Sequence, residues 1–490
     1  MGEFGGGSAP LTGAGDRAEK AGVPTTDQEF LPARARIARA RAAVDRMSAE
    51  LAGWLQRRRA ADALQQYRTQ LGFLEAQLGE GLKRLLDDLG NLAAGGAELG
   101  RVYRGCREVE IRLAWLGRVW GYFRRKFDQR DEGGGDRARA VREALLAADE
   151  VVWSCYAPAF ESRKCAVPAA PLPYFEALFT PNAQPRTRRP PELDGDVDQP
   201  FLKLCLQSLP IPVLGLPWVC VDEPWWLVLL AHEVGHHVQH DLEPASGAVR
   251  RFAELLAEKA GDEWFARGEE VFADAYSVLC CGTSAIRALV EFVLDDVNAF
   301  HASVRAQYPS PRVRLAIMTE LARQLGLSVS GSVPEYVRQP EEKDLPPAVV
   351  RDLGVVGAVA DAVRAWTAEG GGTLETLTGF RSADFETSGV VEGGMRFLLR
   401  KEDPPMGERL ASARHAVSAG MRGWSLCEAR WRGDPGVAEG VLGVLGDLAV
   451  RLPRVIRKAR VEGTRAGVTR VGPAGSLAAA LSQAPMEELS

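Results

Sequence analysis

Four of the six histidines in this chain fall between residues 232 and 240, in the stretch LVLLAHEVGHHVQHDL. His232 and His236 are four apart, which on a helix stacks their imidazoles on one face, a turn from each other. Two nitrogens so placed suit Zn²⁺. Glu233 projects beside that face, where its carboxylate reaches a water at the metal without itself ligating. The residues from Trp225 to Ala231 are all apolar, so the helix is expected to be buried and not a surface helix with unrelated histidines. His237 points off the ligand face. His240 lies only four residues past His236, with no glycine between them to turn the chain back. Both are expected to be partly exposed and to take no part in metal binding.

A catalytic zinc site needs a third protein ligand and an open position. Downstream, ARGEEVFADAYSVLCCG carries Glu270 and Asp274 one helical turn apart, with the small Ala273 and Ala275 permitting close packing on the first helix. Glu270 is expected to complete the set, with Glu269 in reserve. Asp274 is expected to accept a hydrogen bond from the outer nitrogen of a ligand histidine, fixing its tautomer and raising its basicity. The competing reading is an acidic helix start, with Glu269 and Glu270 complementing the helix dipole.

These residues must be positioned by a chain of 490 residues, 46% hydrophobic and 26% charged, with net charge −5. That length predicts two or three domains. The charge argues against a dedicated nucleic-acid surface, and the arginine-rich ARARIARARAAVDR and QRRRA read as solvated helix faces. The aromatics between them sit at core spacing and form no stacking platform. Eight scattered cysteines without a CxxC pair are expected to be buried, reduced thiols in a cytoplasmic protein. There is no basic-then-apolar leader, and no apolar run reaches the ~18 to 20 residues of a membrane span. Neither nucleic acid nor membrane is an expected partner.

Residues 1–28 are rich in Gly, Ser and Pro and are expected to be disordered. Apolar residues then recur at helical spacing (Ile37, Val44, Met47, Leu51, Trp54, Leu55), and further periodic stretches follow as far as DRARAVREALLAADEVVWSCY. An N-terminal helical bundle of roughly four elements over 29–156 is predicted. The proline-rich stretch 157–200 reads as a long surface loop. LPIPVLGLPWVCV reads as a strand confined by proline to a sheet edge. The histidine helix follows, capped by Asp222 or Glu223 with Pro224 in its first turn. A linker is placed at 326–348 and a helical C-terminal region at 349–490. The expected fold class is mainly α with a small β-sheet (α+β).

HEVGHH followed by EVFADA resembles the gluzincin metallopeptidases. In particular it is similar to the family of the CaaX prenyl endopeptidase and its bacterial heat-shock and periplasmic relatives, whose second motif is E-x-x-A-D. That family also carries a His-Pro with an arginine six residues after the histidine, then an aliphatic residue. Here YPSPRVRL supplies Tyr308, Pro309, Arg314 and Leu315. The resemblance covers roughly residues 205–325. It implies a zincin-like metallopeptidase core over 157–325, soluble where many relatives are membrane-embedded, flanked by the two helical regions.

The resemblance further implies His232, His236 and Glu270 as zinc ligands and Glu233 as general base. Tyr308, standing where the family has histidine, is implied as a donor to the oxyanion, and Arg314 reads as structural. The flanks more loosely resemble the helical lead-in of soluble bacterial gluzincins from conflict or signalling systems. The function expected is a soluble zinc endopeptidase acting on a protein or peptide substrate, which pairs with the strand IPVLGLPWVCV. The helical flanks or a regulatory partner hold it in check. The rival is a binding or regulatory protein with a structural or occluded zinc site. Glu233 argues against that rival, because a structural site has no use for its carboxylate.

Overall fold

The structure, a computed structural model, describes residues 31–61, 67–94, 98–131, 134–186, 188, 190–193, 211–243, 247–293, 307–329, 345–400 and 412–459. The lead over 1–28, residues 330–344 of the expected linker and the C-terminal region beyond 459 lie outside the described residues. The fold is mainly helical with a small three-stranded sheet. No described helix is long and apolar enough to cross a membrane.

The chain divides into two compact units, residues 1–50 with 81–114 and residues 51–80 with 115–490. Helices α1 (Leu31–Ala60), α2 (Arg68–Ala94) and α3 (Leu99–Asp128) contribute to each. In the first unit Ala33, Ile37, Ala40 and Val44 are buried at spacings of three and four. Leu82, Leu85 and Leu89 on α2 repeat that spacing, as do Val102, Cys106 and Val109 on α3. This is the stripe a helix needs in order to bury one face. Rim ion pairs Arg36–Glu110 at 2.5 Å and Arg112–Asp88 at 2.9 Å add little at such exposure.

The second unit packs helices around one continuous core. Helix α4 (Asp136–Tyr156) enters it, followed by strands β1 (Leu172–Glu176), β2 (Asn182–Gln184) and β3 (Val213–Pro217). Helices α5 (Leu230–Asp241), α6 (Gly247–Ala260), α7 (Gly268–Cys281), α8 (Thr283–Val293) and α9 (Pro311–Gln324) come next. The C-terminal region adds α10 (Pro347–Gly354), α11 (Val356–Ala365), α12 (Val390–Arg400), α13 (Ala413–Gly433) and α14 (Ala438–Lys458). Helix α13 packs on α4, α8 and the turn ahead of α5, so the C-terminal residues complete the same core.

The sheet corrects two expectations. Its order is β1-β3-β2, with β1 parallel and β2 antiparallel to β3. The strand expected at the edge is therefore central. Its prolines flank the paired segment, Pro212 before it and Pro217 as its last residue, so Val213 to Leu216 keep every N–H for pairing. The stretch read as a surface loop supplies both outer strands. Proline at position 173 within LPYFE disguised β1, and an outer strand tolerates it. Gly215 leaves room beneath the sheet for the hydrogen bond between Asn182 and Glu176.

Around α5 the expected α-helix begins late. Residues Pro224–Leu229 form a 3₁₀ turn, and neither Asp222 nor Glu223 makes a side-chain cap. The α-helical hydrogen bonding starts at Leu230, just ahead of the first histidine.

Arg130 fixes the sheet to the helices. Its guanidinium is completely buried and donates to Asp149 on α4 at 2.8 Å and to the Pro173 carbonyl of β1 at 2.7 Å, while Tyr67 donates to the same carboxylate. Removing one partner of a buried pair strands the other charge, at a cost of roughly 3–5 kcal/mol. Arg130→Met is expected to destabilise the protein by about that amount in denaturant titration. Adding Asp149→Leu is expected to restore most of the loss. A single variant as stable as the parent would show that the pair contributes nothing.

Candidate metal centre

The site is built on two buried helices. Helix α7 is buried almost all round, with only Glu269 partly exposed. Gly235 of α5 faces it, where an added Cβ would stand 2.9 Å from the Ala273 Cα and 3.0 Å from the Tyr276 Cβ. Glycine here allows helix backbones to meet at a distance that alanine would prevent. Of the two small residues expected to permit this contact, Ala273 makes it, and Ala275 is buried in the core. Tyr276 donates to the Cys155 carbonyl of α4 at 2.6 Å, which fixes the rotation of α7.

This packing brings the ligand atoms of His232, His236 and Glu270 within 4.8 Å of one another. Among the described residues no other three such groups do so. His232 Nε2 lies 3.5 Å from Glu270 Oε2, and His236 Nε2 lies 3.6 Å from Glu270 Oε1. These separations are too long for good hydrogen bonds and suit donors converging on a common point. The rings are edge-on, 87° apart with centroids 4.9 Å from each other. Two imidazoles and one carboxylate fit a borderline cation such as Zn²⁺.

Asp274 sits behind His232, with Oδ1 2.9 Å from the outer nitrogen Nδ1. Arg314 grips the same carboxylate through Nε at 2.8 Å and its terminal nitrogen at 2.7 Å, and approaches Glu270 at 3.5 Å. Arg314 comes from the first turn of α9, whose start is set by the Ser310 cap and Pro311. The sequence placed this arginine six residues past Tyr308 but gave no sign that it would reach the ligand carboxylate. Tyr308 lines the same cleft with Glu233, and burial and the Glu270 charge raise its hydroxyl pKa, keeping it a proton donor.

The electrostatics separate the carboxylates. Burial raises Glu233 to about 7, helped by the Glu270 charge and opposed by His232. Burial also acts to raise Glu270, but His232, His236 and Arg314 hold it down to about 2. Asp274 lies well below its usual range despite burial, because of Arg314 and His232. Burial opposes a charge on His232, yet Asp274 and Glu270 raise it to about 10; burial lowers His236 to about 4.

The other two histidines of α5 depart from expectation, since both are buried. His237 has no exposed surface and is held neutral by burial, then by Arg186. The Val213 backbone approaches it without the geometry of a full hydrogen bond. His240 Nε2 meets Glu269 at 3.2 Å. Glu269, the reserve ligand, is gripped by Arg188 at 2.6 and 2.8 Å and is not among the three residues whose ligand atoms converge.

Arg188 lies beyond β2, and Arg186 beside it holds Asp241 at the end of α5 at 2.8 and 3.1 Å. Tyr156 donates to the same Asp241 at 2.6 Å. The acidic side chain at a helix C-terminus, unfavourable with the dipole, is thereby neutralised. The segment after β2 is clamped to both site helices. In the sequence these arginines were only part of a basic loop.

No family model matches the chain, and no curated protein or solved structure matches it either.

With Zn²⁺ as titrant, one ion is expected per chain; His236→Ala should abolish binding and His240→Ala should keep it. A metal-free His232 that titrates near 10 is protonated at neutral pH, whereas a ligand imidazole must be neutral. Binding should therefore release about one proton, and apparent affinity should rise about tenfold per unit between roughly pH 7 and 9, flattening above the His232 pKa. Calorimetry in buffers of different ionisation enthalpy measures this, and an affinity independent of pH would exclude His232 as a ligand.

Asp274→Ala is expected to lower metal affinity roughly 10- to 100-fold with the fold intact. Arg314→Met should shift it in the same direction by releasing Asp274. Unchanged competition against a chelator in both variants would remove Asp274 and Arg314 from any role at the ligands.

Proposed function

We propose that this protein is a zinc-dependent endopeptidase of gluzincin type, cleaving peptide bonds of a protein or peptide substrate. The observation that carries the reading is the company kept by the ligand set. His232, His236 and Glu270 line a cleft of about 300 Å³ together with Glu233, whose carboxyl is tuned to about 7. A structural site would be closed and would need no such carboxylate.

His232, His236 and Glu270 would hold the zinc ion, which when bound would supply Lewis acidity toward a water molecule and the scissile carbonyl. Glu233 accepts the proton of the attacking water and delivers it to the leaving amine, a task suited to a carboxyl near neutrality. Glu270, held ionised, would serve as the anionic ligand. Tyr308, kept protonated, donates its hydroxyl to the oxyanion of the tetrahedral intermediate. Asp274 and Arg314 hold the His232 imidazole in one orientation and leave its inner nitrogen free to bind.

The substrate backbone is read by a different strand from the one expected. With β3 central, the outer strand bordering the cleft is β2, whose Asn182 and Ala183 line it. An extended peptide adds there as a further strand. The helical flanks, or a partner bound to them, restrain the activity.

Glu233→Gln retains shape but cannot accept a proton. Turnover of an unfolded protein substrate is expected to fall by at least 10²- to 10⁴-fold, with zinc content and melting temperature close to those of the parent. In the parent, kcat/KM should fall with decreasing pH as Glu233 protonates, with the limb at or below about 7, since a nearby cation stabilises the carboxylate. Parental cleavage by the Gln variant would sink the proposal, and loss of zinc would make Glu233 a ligand of a structural site.

A further inference from the structure

Three thiols that the metal centre does not use converge in the core of the second unit. Cys155 lies in the last turn of α4, and Cys280 and Cys281 close α7; all three are fully buried. Tyr276, one turn before Cys280, joins the two helices by donating to the Cys155 carbonyl at 2.6 Å. Cys155 approaches both α7 thiols closely enough to share a proton with either.

Arg414, in the first turn of α13, faces this cluster. It is 8% exposed, and its guanidinium donates to the Thr378 carbonyl at 2.6 Å but leaves Nε without a partner. A buried guanidinium stays charged and needs an anion, the more so at a helix N-terminus, where the dipole disfavours a cation. Among the described residues no carboxylate pairs with it. The acidic groups it faces are Cys280, Cys155, Tyr276 and Cys281. Burial acts against a charge on Cys280, yet Cys155 and then Arg414 hold it below the usual thiol range. Cys155 is pushed well up by Cys280 and Cys281, and Tyr276 by burial. Cys220, equally buried but with no cation beside it, is pushed up by burial and keeps its proton, as an inert core cysteine does.

We infer that Cys280 is held as a thiolate paired with Arg414 and is a site of oxidation by small hydroperoxides, with Cys155 resolving it to a disulfide between α7 and α4. This stands apart from the peptidase reading. The Cys280 thiolate attacks the outer peroxide oxygen and the O–O bond breaks. A hydroxyl stays on sulfur as a sulfenic acid, and the leaving oxygen departs as hydroxide or alkoxide, which takes a proton from water. Cys155 Sγ then attacks the sulfenic sulfur. An S–S bond replaces the S–OH bond, and the Cys155 proton leaves with the hydroxyl as water. The two sulfurs lose two electrons and the peroxide gains them. Cys281 follows Cys280 on one helix, where adjacent side chains do not face each other, so Cys155 is the resolving thiol. Hydrogen peroxide is small enough to reach the cluster by local opening of the core.

The test exposes the full native chain to hydrogen peroxide, blocks the remaining thiols and maps every cysteine by mass spectrometry. A Cys155–Cys280 disulfide is expected, with Cys220 recovered as a thiol. Cys155→Ser should stop at the sulfenic acid, captured on Cys280 by dimedone. Arg414→Met should slow oxidation of Cys280 roughly tenfold or more, because each unit of rise in a thiol pKa above ambient pH removes about nine-tenths of its thiolate. Should Arg414→Met not fold, the parent and Cys155→Ser carry the test. Oxidation confined to the exposed Cys165, with Cys155 and Cys280 recovered as thiols, would overturn the inference. So would a Cys280 oxidation rate unchanged in a folded Arg414→Met, or no dimedone adduct on Cys280 in Cys155→Ser.

Discussion

At Gly235 the backbones of α5 and α7 come so close that a methyl group would stand 2.9 Å from the Ala273 Cα. The site depends on this contact because its residues bracket it. His232 and His236 lie on either side of Gly235, and Glu270 and Asp274 on either side of Ala273. Any change in helix separation moves two nitrogens and two carboxylates at once. The surrounding core makes that separation hard to change, since α7 is buried on nearly every side and protein interiors are close-packed. Tyr276, hydrogen-bonded to the backbone of α4, prevents α7 from rolling to relieve strain.

Four carboxylates share this small volume, and their partners decide what each can do. Asp274 is bound by His232 and Arg314, and Glu269 is engaged by Arg188 and His240. Glu270 faces the two imidazoles. Glu233 is the one raised toward neutrality. Environments that push neighbouring carboxyls apart assign different roles to chemically identical groups. Arg314 matters most in this division, because it neutralises Asp274 directly and biases Glu270 through space.

The convergence of His232 and His236 was legible because it is local. A four-residue spacing on an apolar helix fixes the relative position of His232 and His236 whatever surrounds them, and the same holds for Glu270 and Asp274. The helical character of the N- and C-terminal regions was legible for the same reason. The sheet was not. Which strand is central is a long-range property, and prolines that flank the paired residues of β3 cannot be told in sequence from prolines that interrupt them. Pro173 and the short length of β2 hid the outer strands. Burial of His237 and His240 was missed because the packing of α6, β2 and α7 about that end of α5 leaves no periodic trace in α5 itself. Arg186 and Arg188 illustrate the same limit, since a charged loop says nothing of the carboxylates it will meet.

One dimension of the sheet bears on which proteins could be clients. Strand β2 is three residues long, a span of about 10 Å at the usual rise. A substrate backbone pairing there, as proposed, would find a short footprint with few hydrogen bonds to gain, so pairing alone would not hold a chain for long. A bared loop or a locally frayed helix end reaches across it as well as a free terminus does. On the proposed peptidase function, the conformational state of the client, more than a long recognition sequence, would decide whether it is engaged. Folded neighbours in the same compartment would be spared for want of a few extended residues.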